Sequence, residues 1–133
     1  MTHLTQHFTL KEFTSNKYTK ANTPNDQEVV NMVHGCLKVL EPARAHIGCS
    51  IIVTSGYRSP YVNRLAGGVY NSQHLQGCAA DIKPSDPDQF SVLVKFLAKC
   101  EYVDQLLTAK NWCHVSWTPW STPRHQVIYN YYK

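Results

Sequence analysis

Three side chains stand out for what they can bind. His74, Asp81 and His114 offer two imidazole nitrogens and a carboxylate oxygen, donors that zinc accepts. A catalytic zinc site takes three protein ligands and leaves one coordination position open. His74 lies in a glycine-bounded stretch, Asp81 follows seven residues later, and His114 stands on a later segment. Gly77, Ala79 and Ala80, between the first two, are small enough for the backbone to fold close beside a metal. By spacing alone the same residues also read as a surface histidine, an aspartate closing a strand and a histidine satisfied in the core. Arg58 is permanently charged and can donate a fork of hydrogen bonds to an oxyanion, or form a surface ion pair. Ser72 and Gln73 immediately precede His74 and can hydrogen-bond a substrate or cap the loop. Tyr57 is expected to pack.

These residues need elements to position them. Residues 8–13 form a short helical turn, with Thr9 and Glu12 at capping-box spacing. Residues 14–24 are polar and read as irregular. Thr23-Pro24-Asn25-Asp26 then opens an amphipathic helix of about 20 residues, with Pro24 at its first position and Gly48 at its end. Ser50 to Thr54 is a β-branched run and reads as a strand. Ser59-Pro60 starts a short helix that carries Asn63 and stops at Gly67-Gly68. Ala79 to Lys83 reads as a strand, and Asp86-Pro87 opens a helix running to about Lys99. Asp104 to Leu107 and Trp112 to Trp117 form two strands joined by a tight turn. Alternation puts Trp112, His114 and Ser116 on one face and Cys113, Val115 and Trp117 on the other. The segment Gln126 to Tyr132 is aromatic and β-prone. The fold class is therefore α+β: helices packed on a small, mainly antiparallel sheet.

Composition narrows the function. At 133 residues the chain fits a single domain, 1–133, able to bury about two-thirds of its unfolded surface. Its hydrophobic share of 43% and charged share of 17% are those of a globular protein. A net charge of +4, without a basic stripe, zinc-finger spacing or helix-turn-helix pattern, is too small to imply nucleic acid binding, and no nucleic acid partner is expected. No apolar run reaches the ~20 residues of a membrane span, and Met1 to Leu10 lacks the apolar core of a secretory signal. A soluble monomer, cytoplasmic as synthesised, is expected. The five cysteines, an odd number without a Cys-x-x-Cys, are expected to be free thiols.

The run Ser55-Gly56-Tyr57-Arg58-Ser59-Pro60, then Asn63, Gly67-Gly68, Ser72-Gln73-His74, Gly77 and Ala79-Ala80-Asp81-Ile82 resembles the Hedgehog/D-alanyl-D-alanine peptidase family. Asp104-Gln105-Leu106-Leu107 and Trp112-Cys113-His114-Val115-Ser116 resemble its closing hairpin, and Phe8 to Phe13 its opening. Several motifs in one order are more specific than any single one. The resemblance implies zinc as cofactor, His74, Asp81 and His114 as its ligands, and Arg58 beside the metal steadying substrate or transition-state oxygen. It implies a peptide substrate from bacterial peptidoglycan, cut by a D-Ala-D-Ala carboxypeptidase or a phage endolysin. An enzyme encoded by a phage or prophage, reaching the wall after release, is the expectation.

The sequence departs from that family at one place. Zinc hydrolysis calls for a carboxylate that takes a proton from the attacking water and returns it to the leaving amine. Relatives carry it shortly before the last histidine. Here the corresponding positions hold Thr108, Ala109, Asn111 and Trp112, and none is a base. The closest acids are Glu101 and Asp104. Asp104, on the strand expected beside His114, is the candidate base, or it merely orders the hairpin. Cys78 and Cys113 flank ligands, but Cys113 should face away from His114. Two classes follow: an active zinc peptidase, or a zinc-bearing peptidoglycan- or protein-binding module without turnover.

Overall fold

A computed structural model describes residues 2–18 and 20–132. The chain opens with a small hairpin, β1 (His3–Thr5) and β2 (Phe8–Thr9), which the sequence reading did not foresee. Helix α1 (Leu10–Thr14) follows, with the expected reciprocal capping of Thr9 and Glu12.

The long helix starts one turn-signal later than expected. Asn25, not Thr23, is its cap: Asn25 and Glu28 satisfy each other's backbone N–H groups, so α2 runs Asp26–Gly35 and Pro24 stays outside. The helix then widens into a π turn at Cys36–Leu40 before continuing as α3 (Glu41–Ile47). Pro42 supplies a physical reason. It has no N–H for the carbonyl four residues back, and its ring crowds that carbonyl, so the ladder slips by one residue just upstream.

Strand β3 (Ile51–Ser55), helix α4 (Pro60–Leu65), strand β4 (Ala79–Pro84), helix α5 (Phe90–Lys99) and strands β5 (Gln105–Thr108), β6 (Cys113–Ser116) and β7 (Gln126–Ile128) complete the fold. The sheet order is β3-β4-β6-β5-β7. Every pairing is antiparallel except β5 with β7, which is parallel. The architecture is α+β, as expected.

The sheet has two different faces. Ala80, Ile82, Leu106, Cys113 and Val115 point into the hydrophobic core, where Met32, Val39, Leu40, Leu93 and Leu97 of the helices meet them. Alternation sends Asp81, Leu107 and His114 to the opposite face. Trp117, fully buried, locks helix to sheet: its indole N–H donates to Asn31 O at 2.9 Å. All five cysteines are unpaired, and Cys36, Cys78 and Cys113 are buried. Among the described residues, no helix is long and apolar enough to cross a membrane.

Candidate metal centre

Register makes the site. In the β4–β6 ladder Asp81 faces His114 directly, and in the β5–β6 ladder Leu107 does. His74 arrives from a different direction, on a single 3-10 turn, Gln73–Gln76. Ser72 caps that turn by accepting from the His74 N–H at 3.2 Å. Gly77 ends it with φ +73°, where a Cβ would come within 2.4 Å of the Glu28 carbonyl. The turn is thereby fixed against α2.

The three predicted ligands converge. Asp81 Oδ1 lies 3.3 Å from His74 Nε2 and 3.1 Å from His114 Nδ1. Two ligands at about 2.0–2.1 Å on a tetrahedral zinc stand about 3.3 Å apart, so the donor set fits that ion. All three residues are buried. The tautomer fits as well. His74 Nδ1 is 2.6 Å from the Gly56 carbonyl, which can only accept, so Nδ1 carries the hydrogen and Nε2 is left with its lone pair. Burial holds the His74 imidazole below its ordinary pKa, which favours the neutral ring. A neutral nitrogen and a carboxylate oxygen at this separation repel unless a cation or proton lies between them. Burial would raise the Asp81 carboxyl, but the adjacent His114 and His74 imidazoles outweigh it and hold the group well below the usual carboxylate range.

Arg58 sits beside this set. Its Nη2 donates to Asp81 Oδ2 at 3.2 Å, Nε to Ser55 Oγ at 3.0 Å and Nη1 to Asn63 Oδ1 at 3.3 Å. A guanidinium held at three points keeps its orientation without reorganising. Gly68 is part of the fixture, because a Cβ there would meet Asn63 Oδ1 at 2.1 Å. Asn22, in the stretch read as irregular, is buried and pins the loop: it donates to Thr14 O and Tyr57 O and accepts from the Ser59 N–H. Tyr57 is buried in the core, as expected.

The ligands open onto a cleft of about 450 Å³. Ser72 and Gln73 both line it, yet both are engaged with their own chain. Gln73 Nε2 donates to Asp104 Oδ2 at 3.1 Å and to Trp117 O at 3.2 Å, and Gln73 Oε1 accepts from Arg124 at 3.3 Å. Asp104 is not among the lining residues. Both its oxygens accept from Arg124: Oδ1 from the backbone N–H at 2.7 Å, Oδ2 from Nε at 3.0 Å and Nη2 at 2.8 Å. Burial alone would raise this carboxyl, but those bonds and the Arg124 charge hold it below its ordinary value. A carboxylate so satisfied is a weak proton acceptor. Among the described residues that line the cleft, Asp81 is the sole carboxylate. Cys113 lies in the core, facing away from His114, as alternation requires.

A sequence model of the Peptidase M15 family matches residues 6–116, most of the chain. The chain belongs to the Peptidase M15 family. This is the zinc peptidase family of Hedgehog/D-alanyl-D-alanine type that the sequence motifs resemble. No curated protein matched the sequence. The buried His74, Asp81 and His114 form a cluster that could hold a metal ion. The match stops before Arg124, Tyr131 and Tyr132, which also line the cleft and which sequence reasoning did not single out. The tyrosines' one sequence signal was the aromatic, β-prone segment Gln126 to Tyr132, and Arg124 had none.

Proposed function

We propose that this protein is a zinc-dependent peptidase that hydrolyses peptide bonds in bacterial peptidoglycan stem peptides. The carrying observation is the convergence of His74, Asp81 and His114 at ligand distances on the wall of a cleft that also presents the fixed Arg58 guanidinium. Zinc at this site supplies Lewis acidity toward a peptide carbonyl and lowers the pKa of water. Arg58 stabilises negative charge as it develops on the carbonyl oxygen, and its three hydrogen bonds hold it in place for that task. The Gly56 carbonyl holds the His74 tautomer. We assign the protein to a phage or prophage, acting as a monomer, made in the cytoplasm and meeting the wall after release.

A second reading has its own observation. The cleft wall carries no carboxylate besides Asp81, so no ordinary general base faces the metal donors among the described residues. A zinc-bearing module that binds wall peptide without turnover fits that fact. Digestion of purified peptidoglycan with the zinc-loaded protein separates the two, with mass spectrometry of the released ends. New amine termini support the peptidase. Wall from several bacterial types that yields neither new amine termini nor free terminal amino acid, with the metal demonstrably bound, would overturn it in favour of the module.

A further inference from the structure

The chain end beyond the family match is built into the cleft. Strand β7 pairs in parallel with β5, and Gln105 Nε2 donates to Gln126 Oε1 at 2.7 Å. The Gln126 N–H bonds Asp104 O at 3.0 Å, and the Tyr131 N–H bonds Thr108 O at 2.8 Å. Asn130 adds an N–H bond to Thr108 Oγ1 at 2.8 Å. His125 and Asn130, at either end of β7, take left-handed φ values of 56° and 55°. These reversals bring Arg124 to one part of the cleft wall and Tyr131 and Tyr132 to another.

Arg124 is held as a recognition group would be held. Nε and one N–H of Nη2 are spent on Asp104, and the other N–H of Nη2 on Gln73, the residue next to His74. The two N–H groups of Nη1 bond to no described residue, although Arg124 lines the cleft. A planar guanidinium with one edge anchored and the other free is suited to a carboxylate. The charges agree. Arg58 and Arg124 offset Asp81 and Asp104, so any cation on the His-Asp-His set makes the cleft net positive.

Resting on the peptidase reading above, we propose that Arg124 binds the free carboxylate of a peptide chain end, so that the cleft takes chain termini rather than chain interiors. Asp104 and Gln73 are positioning residues that aim Arg124. Tyr131 and Tyr132 wall the pocket in which the terminal residue sits. The reaction is then a carboxypeptidase one: water adds to the carbonyl carbon, the C–N bond breaks, and the terminal amino acid leaves as its amine with a proton from that water.

The binding arm of the test needs no turnover. Zinc-loaded full-length protein is titrated calorimetrically with a ketomethylene analogue of a blocked peptide ending in D-Ala-D-Ala, as the free acid and as the terminal amide. The acid should bind about tenfold or more tightly than the amide. Arg124→Gln should bring that ratio close to one with zinc content unchanged, and Arg124→Lys should keep part of it. Asp104→Asn should shrink the ratio and raise KM, leaving kcat and its pH profile in place. Equal binding of acid and amide by the wild type overturns the proposal, as does an unchanged ratio in Arg124→Gln. A kcat loss of about 10² in Asp104→Asn with the ratio intact also overturns it, since Asp104 would then be the base. An acid preference that depends on Arg124, in a protein that releases neither wall fragments nor free terminal amino acid, keeps the carboxylate subsite and defeats only the peptidase reading.

Discussion

Asp81 stands directly across the β4–β6 ladder from His114, with its Oδ1 3.1 Å from His114 Nδ1. That pairing makes two of the three metal donors a property of strand register. A slip of either strand by one residue would turn that strand's ligand into the core. Only His74 depends on a loop, and that loop is capped by Ser72 and closed by Gly77. The purified protein is therefore expected to carry about one zinc per chain, measured by elemental analysis. His74→Ala combined with His114→Ala should lose it, because one carboxylate remains of three donors. Full occupancy in that double variant would remove the assignment.

Arg58 and Ala109 bear on turnover from opposite directions. Arg58→Ala should retain zinc and cut kcat by about 10² or more, the scale of losing one oxyanion donor. Ala109 continues the alternation of Gln105 and Leu107, which both line the cleft, and its N–H is fixed on Trp112 O at 2.8 Å. Ala109→Glu places a carboxylate at one of the positions where the family resemblance implies one and should raise turnover on peptidoglycan by about 10². No gain in a folded, zinc-loaded Ala109→Glu protein would show that a base there is not what limits the rate.

Thiol labelling should split the cysteines by burial. Burial pushes the Cys78 and Cys113 thiols up to about 12, and Cys36 higher still. In native protein at pH 8, Cys49 and Cys100 should react first, and all five should react under denaturing, non-reducing conditions. Fewer than five in the denatured sample, kept from air, would reveal a disulfide.

Glu41 ties the amino-terminal hairpin to α3. It accepts from Thr5 Oγ1 at 2.6 Å and from the His7 N–H at 2.8 Å, and pairs with His7 Nδ1 at 2.7 Å. Burial would raise its carboxyl, but these bonds outweigh burial and lower it. The stabilisation is therefore present above the unfolded value, about 4.3, and is lost as pH falls through the lower folded value. Urea midpoints measured between pH 6 and pH 3 should show this loss in the wild type. Glu41→Gln should flatten that part of the curve, and an unchanged curve would exclude Glu41 as its source.

Much of this protein is set by local chemistry and could be read without coordinates. The capping box at Thr9 and Glu12, the Ser59-Pro60 helix start, the strand alternation that separates His114 from Cys113, and the order of motifs from Ser55 to Ser116 all depend on near neighbours. Local signals of equal quality competed at Thr23 and Asn25, and the reciprocal bond with Glu28 decided for Asn25. Pro42 could have signalled the π turn, but the apolar period ran through it unbroken. What no local pattern could settle was the partnership of distant groups. The register that sets Asp81 against His114, the seat of Asn22 on Tyr57 and Ser59, and the capture of Asp104 by Arg124 are each made by long-range packing. Asp104 shows the difference most clearly. Its place in the chain made it the nearest acid to a missing base, but Arg124, twenty residues later, holds both its oxygens, Oδ1 with its backbone N–H and Oδ2 with its guanidinium.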